Sequence, residues 1–248
     1  FFLMALTGVT LGVAQHLYMG ARLLPLILIG FLIHQLLVNR AYLWSLRYQL
    51  GMVVIGFLLG FGPLLRHFIL HPHEFNARLV LVGIVQTGWL EQQLEQGTHL
   101  IPLLFEQARS AFGAFTFVAD RSAQYDPAMP ILDPISSIFF FFGVAIAVIQ
   151  WRRASAIISL GWIAGAAVFG GMLLVNPPIS PRYVTTAPPL CLLMALAITE
   201  LGAIVKKTLS LSHHTVYGFM SAILVIFAVW NVNFYFNVYT PRNIYGWL

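Results

Sequence analysis

Residues 135–149 read Ile-Ser-Ser-Ile-Phe-Phe-Phe-Phe-Gly-Val-Ala-Ile-Ala-Val-Ile, and residues 187–198 form a second run of the same apolar character. At the helical period these stretches are apolar on every side, which is typical of a helix surrounded by protein or lipid. Strands of a closed membrane barrel would alternate apolar and polar side chains, and that alternation does not occur here. We therefore predict transmembrane helices, in which each backbone polar group is satisfied within its own segment.

The composition of the whole chain agrees with this prediction. Hydrophobic residues make up 59% of the 248 residues and charged residues only 8%, whereas a soluble domain usually carries about a quarter charged residues. The net charge of +5 comes from residues at the ends of apolar runs, so it does not indicate nucleic acid as a partner. The single cysteine, Cys191, cannot form an intrachain disulfide.

A helix that crosses a bilayer needs roughly 20 apolar residues. On this basis we predict an all-α polytopic membrane protein with about seven transmembrane helices. The predicted spans are Phe1–Ala14, Leu23–Val38, Tyr48–Leu65, Pro134–Gln150, Ser155–Val175, Val184–Val205 and Val216–Tyr235. The chain would then consist of spans one to three (1–65), one large loop (66–133), and spans four to seven with a short outer stub (134–248). Because it begins and ends within apolar sequence, we expect it to be a piece of a longer protein.

The charges predict the orientation of these spans. Three short loops carry basic residues and no acidic ones: Arg40 and Arg47, Arg152 and Arg153, and Lys206 and Lys207. Such loops usually face the cytoplasm. Seven of the eight acidic residues lie in the loop 66–133, and the eighth is Glu200 in the sixth span. We therefore predict a multi-pass protein of the cell membrane whose long loop is extracytoplasmic.

The long loop itself contains a helical pattern. Its apolar residues recur at helical spacing at Ile101, Leu104, Phe105, Ala108, Phe112 and Phe115. We predict an amphipathic helix that lies along the membrane surface. The run Arg78–Val85 is compatible with either a strand or a helix, and its periodicity does not decide between them.

Two outer turns place arginine beside tyrosine. Tyr18 and Arg22 lie in the turn 15–22, and Arg182 and Tyr183 follow the six residues of a proline-rich turn, Asn-Pro-Pro-Ile-Ser-Pro. An arginine at the lipid boundary is well placed to bind phosphate oxygens with its planar fork. The alternative is an interfacial arginine that extends to the membrane surface, beside a tyrosine of the aromatic belt.

Ionisable groups in the long loop are further candidates. Asp120 and Asp126 precede the fourth span and suit a base or a ligand for a sugar hydroxyl, although a hydrated loop would carry them equally well. His71 and His73 flank a proline next to Glu74, which resembles a metal-ligand cluster. Histidines in loops are more commonly solvent-exposed, so we expect no metal site there. A divalent metal is left open as a cofactor.

Three stretches together resemble multi-spanning C-type glycosyltransferases of the dolichyl-phosphate-mannose–protein mannosyltransferase type. Gly12–Leu26 is similar to their Tyr-x-x-x-Arg-x-x-Pro turn, Asp126–Pro134 to the end of their large outer loop, and Asn176–Leu190 to their Arg-Tyr-x-x-x-x-x-Pro entry into a late span. The closing residues 233–239 are also similar. The resemblance covers most of the chain in order and corresponds to the carboxyl-terminal half of such an enzyme.

The resemblance implies a transfer of sugar from a polyprenyl-phosphate carrier to a protein, lipid or glycan acceptor on the outer face. It implies inversion at the anomeric carbon, a carboxylate base, and basic residues such as Arg22 and Arg182 that hold the departing phosphate. The family's acidic residues lie in its first outer loop, so the catalytic residue is expected upstream of Phe1 and is not assigned.

Two other classes of function remain. The chain would also suit a non-catalytic transmembrane subunit that packs against other membrane subunits and lipids in a larger complex. A transporter is disfavoured, because the spans contain no series of buried carboxylates of the kind that proton-coupled pumps use.

Overall fold

The computed structural model describes residues 1–122 and 127–242. Within these ranges the chain is helical, and its only β pairing is an isolated antiparallel bridge between Gly83 and Leu174. The helices are α1 (Phe2–Leu17), α2 (Leu23–Val38), α3 (Arg40–Ser45), α4 (Arg47–Leu70), α5 (Pro72–Val82), α6 (Trp89–Glu95), α7 (Leu100–Gly113), α8 (Pro134–Ile149), α9 (Ala154–Ala167), α10 (Ala187–Leu209) and α11 (His213–Asn233).

Shorter helical turns connect or extend these helices. Turns of 3-10 type lie at Met19–Arg22, Ser180–Thr186 and Thr240–Arg242, and π-helical turns lie at Val168–Met172 and Phe234–Tyr239.

Five helical segments are long and apolar enough to cross a membrane: Met19–Val38, Arg47–Leu70, Ala154–Met172, Ser180–Leu209 and His213–Arg242. Two further apolar helices, α1 and α8, have 16 residues each. A helix of that length spans about 24 Å, less than the roughly 30 Å of a bilayer core. For the described residues, the prediction of an all-α chain with several helices long and apolar enough to cross a membrane is confirmed. The number seven stays a prediction.

The predicted element boundaries differ from the observed ones in the loop region. Helix α4 continues past Pro63 to Leu70, so the first residues of the predicted loop are still helical. The undecided run Arg78–Val85 is helical as far as Val82. It ends there because Gly83 adopts an extended conformation and pairs with Leu174.

The interior is formed by α8, α9 and α10, whose buried side chains include Phe140, Ile163 and Leu193. Gly143 allows α8 to approach the backbone of α10 at Leu193. In contrast, α2, α4 and α11 keep many large apolar side chains exposed, among them Ile33, Leu37, Ile55, Leu59, Leu224 and Val229. Such surfaces are stable when lipid covers them, because acyl chains are as apolar as the side chains.

Helices α1 and α4 pack through four glycines. A Cβ atom at Gly12 would lie 2.6 Å from the carbonyl oxygen of Phe57, and one at Gly60 would lie 2.5 Å from that of Val9. Gly8 and Gly56 occupy equally crowded positions along the same contact. Small residues at this spacing let two helix backbones approach closely, which maximises van der Waals contact in the absence of water.

A substitution of Gly56 by leucine is expected to separate α1 from α4, because its Cβ would collide with the carbonyl of Ala5. We expect a loss of about 1–3 kcal/mol in the free energy of unfolding, as for other overpacked sites. The measurement is denaturant unfolding of the protein in detergent micelles. Gly62→Leu on the same helix is the control, since a Cβ there has no neighbour within 4 Å. Equal losses for both variants would contradict the role of the glycine contact.

Candidate functional site

The two arginine-containing turns lie side by side at one end of the bundle. The hydroxyl of Tyr18 donates to the carbonyl oxygen of Pro181 at 2.5 Å, which ties the Met19–Arg22 turn to the Ser180–Thr186 turn. The amide of Gln15 donates to the carbonyl of Ala21 at 3.1 Å and holds the first turn from the side of α1. Residues that are more than 160 positions apart in sequence therefore form one surface.

Arg22 is held in a defined position on this surface. Its Nη1 donates to the carbonyl oxygen of Phe75 at 2.7 Å. The guanidinium carbon lies 5.1 Å from the ring centroid of Phe68 and 4.8 Å from that of Phe75. Both distances are within the range of cation–π attraction.

Arg182 and Arg78 complete a group of three arginines. Arg182 is half-buried and donates from Nη1 to the carbonyl oxygen of Val175 at 3.1 Å. Arg78, on the first helix of the long loop, is close enough to interact electrostatically with both Arg182 and Tyr18. In the part of the chain that the structure describes, none of the three arginines forms an ion pair with a carboxylate. The surface therefore carries a concentrated positive charge.

These arginines line one cavity. It has a volume of 360 Å³ and lies between α2, α5 and the Ser180–Thr186 turn, with Tyr18 also in its wall. The π-helical turn Val168–Met172 contributes Phe169 and Gly170. A Cβ at Gly170 would lie 3.1 Å from the carbonyl oxygen of Arg182. Single π turns of this kind occur frequently at functional sites.

A second cavity of 330 Å³ adjoins the first. The two share Tyr18, Met19, Arg22, Phe75 and Arg78, so two of the three arginines line both cavities, and Arg182 lines only the first. The second cavity also contains Glu74, which supplies the carboxylate closest to the arginine group among the cavity-lining residues.

An apolar groove continues from the first cavity toward the opposite end of the bundle. It has a volume of 290 Å³ and shares Leu23, Leu26 and Phe169 with the arginine cavity. Its other lining residues, on α2 and α9, are Ile27, Gly30, Phe31, His34, Ile157, Gly161 and Gly165. A Cβ at Gly30 or Gly161 would meet nothing within 4 Å, so these glycines leave the groove open. A charged cavity that leads into an apolar groove matches the shape of an amphiphilic anion.

The hydroxyl of Tyr18 is a hydrogen-bond donor in this arrangement. Partial burial raises its pKa above the usual value for tyrosine, and the positive charges of Arg182 and Arg78 oppose that effect. The hydroxyl therefore stays protonated at neutral pH.

Two of the predicted site residues have a structural role beside the cavity. Tyr183 is 2% exposed, its hydroxyl donates to the carbonyl of Ala111 at 3.1 Å, and its ring meets Phe115 edge-on. Asp120 is also buried, and its Oδ1 accepts from the backbone N–H groups of Ser180 at 2.8 Å and Ser122 at 3.0 Å. Both residues fasten the Ser180–Thr186 turn that carries Arg182. Asp126 lies outside the described residues.

The sequence pattern grouped His71, His73 and Glu74, whereas the structure brings together His67, His71 and Glu74. The ligand atoms of His67, His71 and Glu74 all lie within 4.8 Å of one another. Nε2 of His67 lies 2.7 Å from Oε2 of Glu74, and this hydrogen bond lowers the pKa of the Glu74 carboxyl. His73 lies 3.9 Å from the other carboxylate oxygen. In the sequence, the signal for this cluster is the i, i+4 spacing of His67 and His71.

Helix α7 confirms the helical pattern predicted for the loop. Its apolar residues Ile101, Phe105 and Phe112 are exposed, whereas Gln107 and Ser110 face the protein. The charged side chains of Glu106 and Arg109 are exposed as well, so the outward side of α7 carries both apolar and charged residues, and its place along the membrane surface stays a prediction.

Comparisons of the chain with protein-family models, with curated proteins and with solved structures gave no match. The family resemblance of the sequence therefore stays a prediction.

Replacing Asp120 by alanine is expected to destabilise the protein by about 1–3 kcal/mol, because two backbone N–H groups lose their acceptor. Asp120→Asn, which keeps Oδ1, should lose less. Thermal unfolding in detergent measures the difference, with the exposed Glu106→Ala as control. A stability of Asp120→Ala equal to that of the unmodified protein would contradict the fastening role.

Proposed function

We propose that this chain is part of a membrane glycosyltransferase that moves a sugar from a polyprenyl-phosphate carrier to an acceptor on the outer face of the membrane. The observation that carries the proposal is the group Arg22, Arg78 and Arg182, free of carboxylate partners among the described residues, in a cavity that continues as an apolar groove. The sequence resemblance, whose motifs include Arg22 and Arg182, supports the same function.

The arginine cavity suits the phosphate of the donor. Phosphate is bound well by guanidinium groups, because their parallel N–H donors match its oxygens and such bonds are charge-assisted. Arg22 is already immobilised by Phe68, Phe75 and a carbonyl oxygen, so its fixed position reduces the entropy lost on binding. The hydroxyl of Tyr18 donates its proton to the carbonyl of Pro181, so Tyr18 shapes the same wall and holds the turn that carries Arg182.

The groove between α2 and α9 suits the part of the polyprenyl tail nearest the phosphate. Leu23, Ile27, Phe31 and Ile157 present apolar side chains along it. Because the groove borders helices that expose apolar surface to lipid, the remainder of the tail would pass directly into the bilayer. A soluble anion has no apolar tail to place in this groove. A lipid-linked phosphate has one, so the groove favours a lipid carrier.

In the proposed reaction, an acceptor oxygen attacks the anomeric carbon while the bond from that carbon to the phosphate oxygen breaks. The acceptor proton passes to a carboxylate base, and the polyprenyl phosphate leaves with an additional negative charge. The three arginines would stabilise this charge as it develops, which is where electrostatic catalysis is most effective. The base is not assigned to a residue of this chain.

The proposed function also implies how the chain is oriented in the membrane. The cavity, the long loop and helix α7 would face the outer side, and the basic loops would face the cytoplasm. The exposed apolar residues Ile101, Phe105 and Phe112 of α7 would then lie in the outer membrane interface and cover the site from the side.

Arg78→Ala is expected to weaken binding of polyprenyl phosphate by at least about tenfold, the equivalent of one charge-assisted hydrogen bond. This residue is chosen because it is exposed, so its removal leaves the packing intact. Arg22→Lys should show a similar loss, since lysine keeps the charge but not the fork. Native mass spectrometry of the purified protein measures binding, and release of polyprenyl phosphate from a labelled donor measures transfer.

Arg109→Ala is the matched control, because Arg109 is an outer-face arginine paired with Glu106 and lines none of the three cavities. If Arg78→Ala and Arg109→Ala bind equally well, the arginine cavity is not the phosphate site. If the lipid binds with the expected arginine dependence but no sugar is transferred by the complete protein, the alternative of a non-catalytic subunit is favoured.

Gly161→Phe is expected to fill the groove and to weaken binding of long polyprenyl phosphates, with little effect on a short-chain analogue. The open space around Gly161 means that the substitution needs no rearrangement of the helices. Gly218→Phe on α11 is the control, since it too has no neighbour within 4 Å but lines none of the described cavities. An unchanged preference for chain length in Gly161→Phe would place the tail elsewhere.

A further inference from the structure

The corner between α4 and α5 carries a group of metal-ligating side chains that the proposed transfer reaction does not use. His67 and His71 lie one helical turn apart at the end of α4, and Glu74 lies in the first turn of α5. Their ligand atoms lie within 4.8 Å of one another, and all three side chains are exposed. We propose that they form a binding site for one divalent transition metal, of which zinc is the best fit.

The distances are close to those of a metal site. Zinc binds imidazole nitrogen and carboxylate oxygen at about 2.0–2.2 Å, so two ligand atoms of a tetrahedral site are separated by about 3.3–3.5 Å. His67 and Glu74 are already closer than this, at 2.7 Å, because they share a hydrogen bond in place of an ion. The His71 ring lies alongside the His67 ring, with centroids 4.7 Å apart. Rotation of these exposed side chains brings the three donors to bonding distance without movement of the helices.

The donor set indicates the class of metal. Two neutral imidazoles and one carboxylate suit zinc and its neighbours, whereas magnesium and calcium prefer oxygen ligands alone. The Glu74 carboxylate is exposed and already faces Nε2 of His67 at 2.7 Å. His73 lies beside the other oxygen of Glu74, at 3.9 Å, and outside the shared group of ligand atoms. Water would therefore fill the fourth position.

A bound metal would stiffen the connection between α4 and α5. Phe68, on α4, and Phe75, on α5, hold the guanidinium of Arg22 between them, and both lie within one or two residues of a ligand. The metal would thus fix the position of Arg22 from outside the cavity. It would act as a structural clamp beside the arginine cavity and would take no part in the chemistry proposed there.

The test uses the purified protein in nanodiscs, freed of metal with a chelator and titrated with Zn²⁺ against a chromophoric competitor. We expect one equivalent to bind, a rise in melting temperature with Zn²⁺, and visible absorption of tetrahedral character with Co²⁺. His71→Ala and Glu74→Gln should each weaken the affinity by at least tenfold and abolish the thermal shift. His99→Ala, which alters an exposed histidine of the same loop, should bind as the unmodified protein does.

Glu74→Gln keeps the size and exposure of the side chain, so it tests ligation even if His71→Ala lowers the yield of folded protein. Less than one bound equivalent at micromolar Zn²⁺, or unchanged affinity in Glu74→Gln, would overturn the proposal. Because binding and melting are measured without any sugar donor, a failure here leaves the proposed transferase function untouched, and a failure of transfer leaves the metal site untouched.

Discussion

Every peptide group that lies in lipid must find its hydrogen-bond partner within its own helix, and the rest of this structure depends on that constraint. It makes helices the only way to place so much apolar sequence in a bilayer, and it restricts irregular backbone to the ends of the bundle or to surfaces covered by protein. The Met19–Arg22 and Ser180–Thr186 turns and the break after Val82 all gather at one end. The polar side chains that could bind a ligand gather there for the same reason.

Charge is the second constraint on this end of the molecule. Three arginines in one cavity repel one another, and among the described residues none of them forms an ion pair with a carboxylate. The protein holds Arg22 with aromatic faces and Arg22 and Arg182 with backbone carbonyls, which stabilise a cation without cancelling its charge. An arrangement of this kind is most stable with an anion present. Binding of an anionic ligand and stability of the outer turns should therefore be linked.

The helices could be predicted from the sequence because hydrophobicity is a local property of each segment. The proximity of Arg22 to Arg182 agrees with the predicted orientation, in which both turns lie on the same side of the membrane. Arg78, Phe68 and Phe75 were not identified, because their importance arises only when α5 folds back against the Met19–Arg22 turn. Tyr183 was predicted to bind substrate but is buried against Ala111, and no local pattern distinguishes an interfacial tyrosine from a buried one. Similarly, His67 was not identified, because it lies beside Glu74 only when α5 turns back at the end of α4.

The close contact of α1 with α4 has a consequence for biosynthesis. The partners are separated in the chain by α2 and α3, so α1 leaves the ribosome well before α4 has been made. During that interval the flat glycine surface of α1 faces lipid or a helper protein in place of its final partner. Helix α2 packs against α9 in the same way, so neither of the first two long helices meets its main partner until later helices have been made.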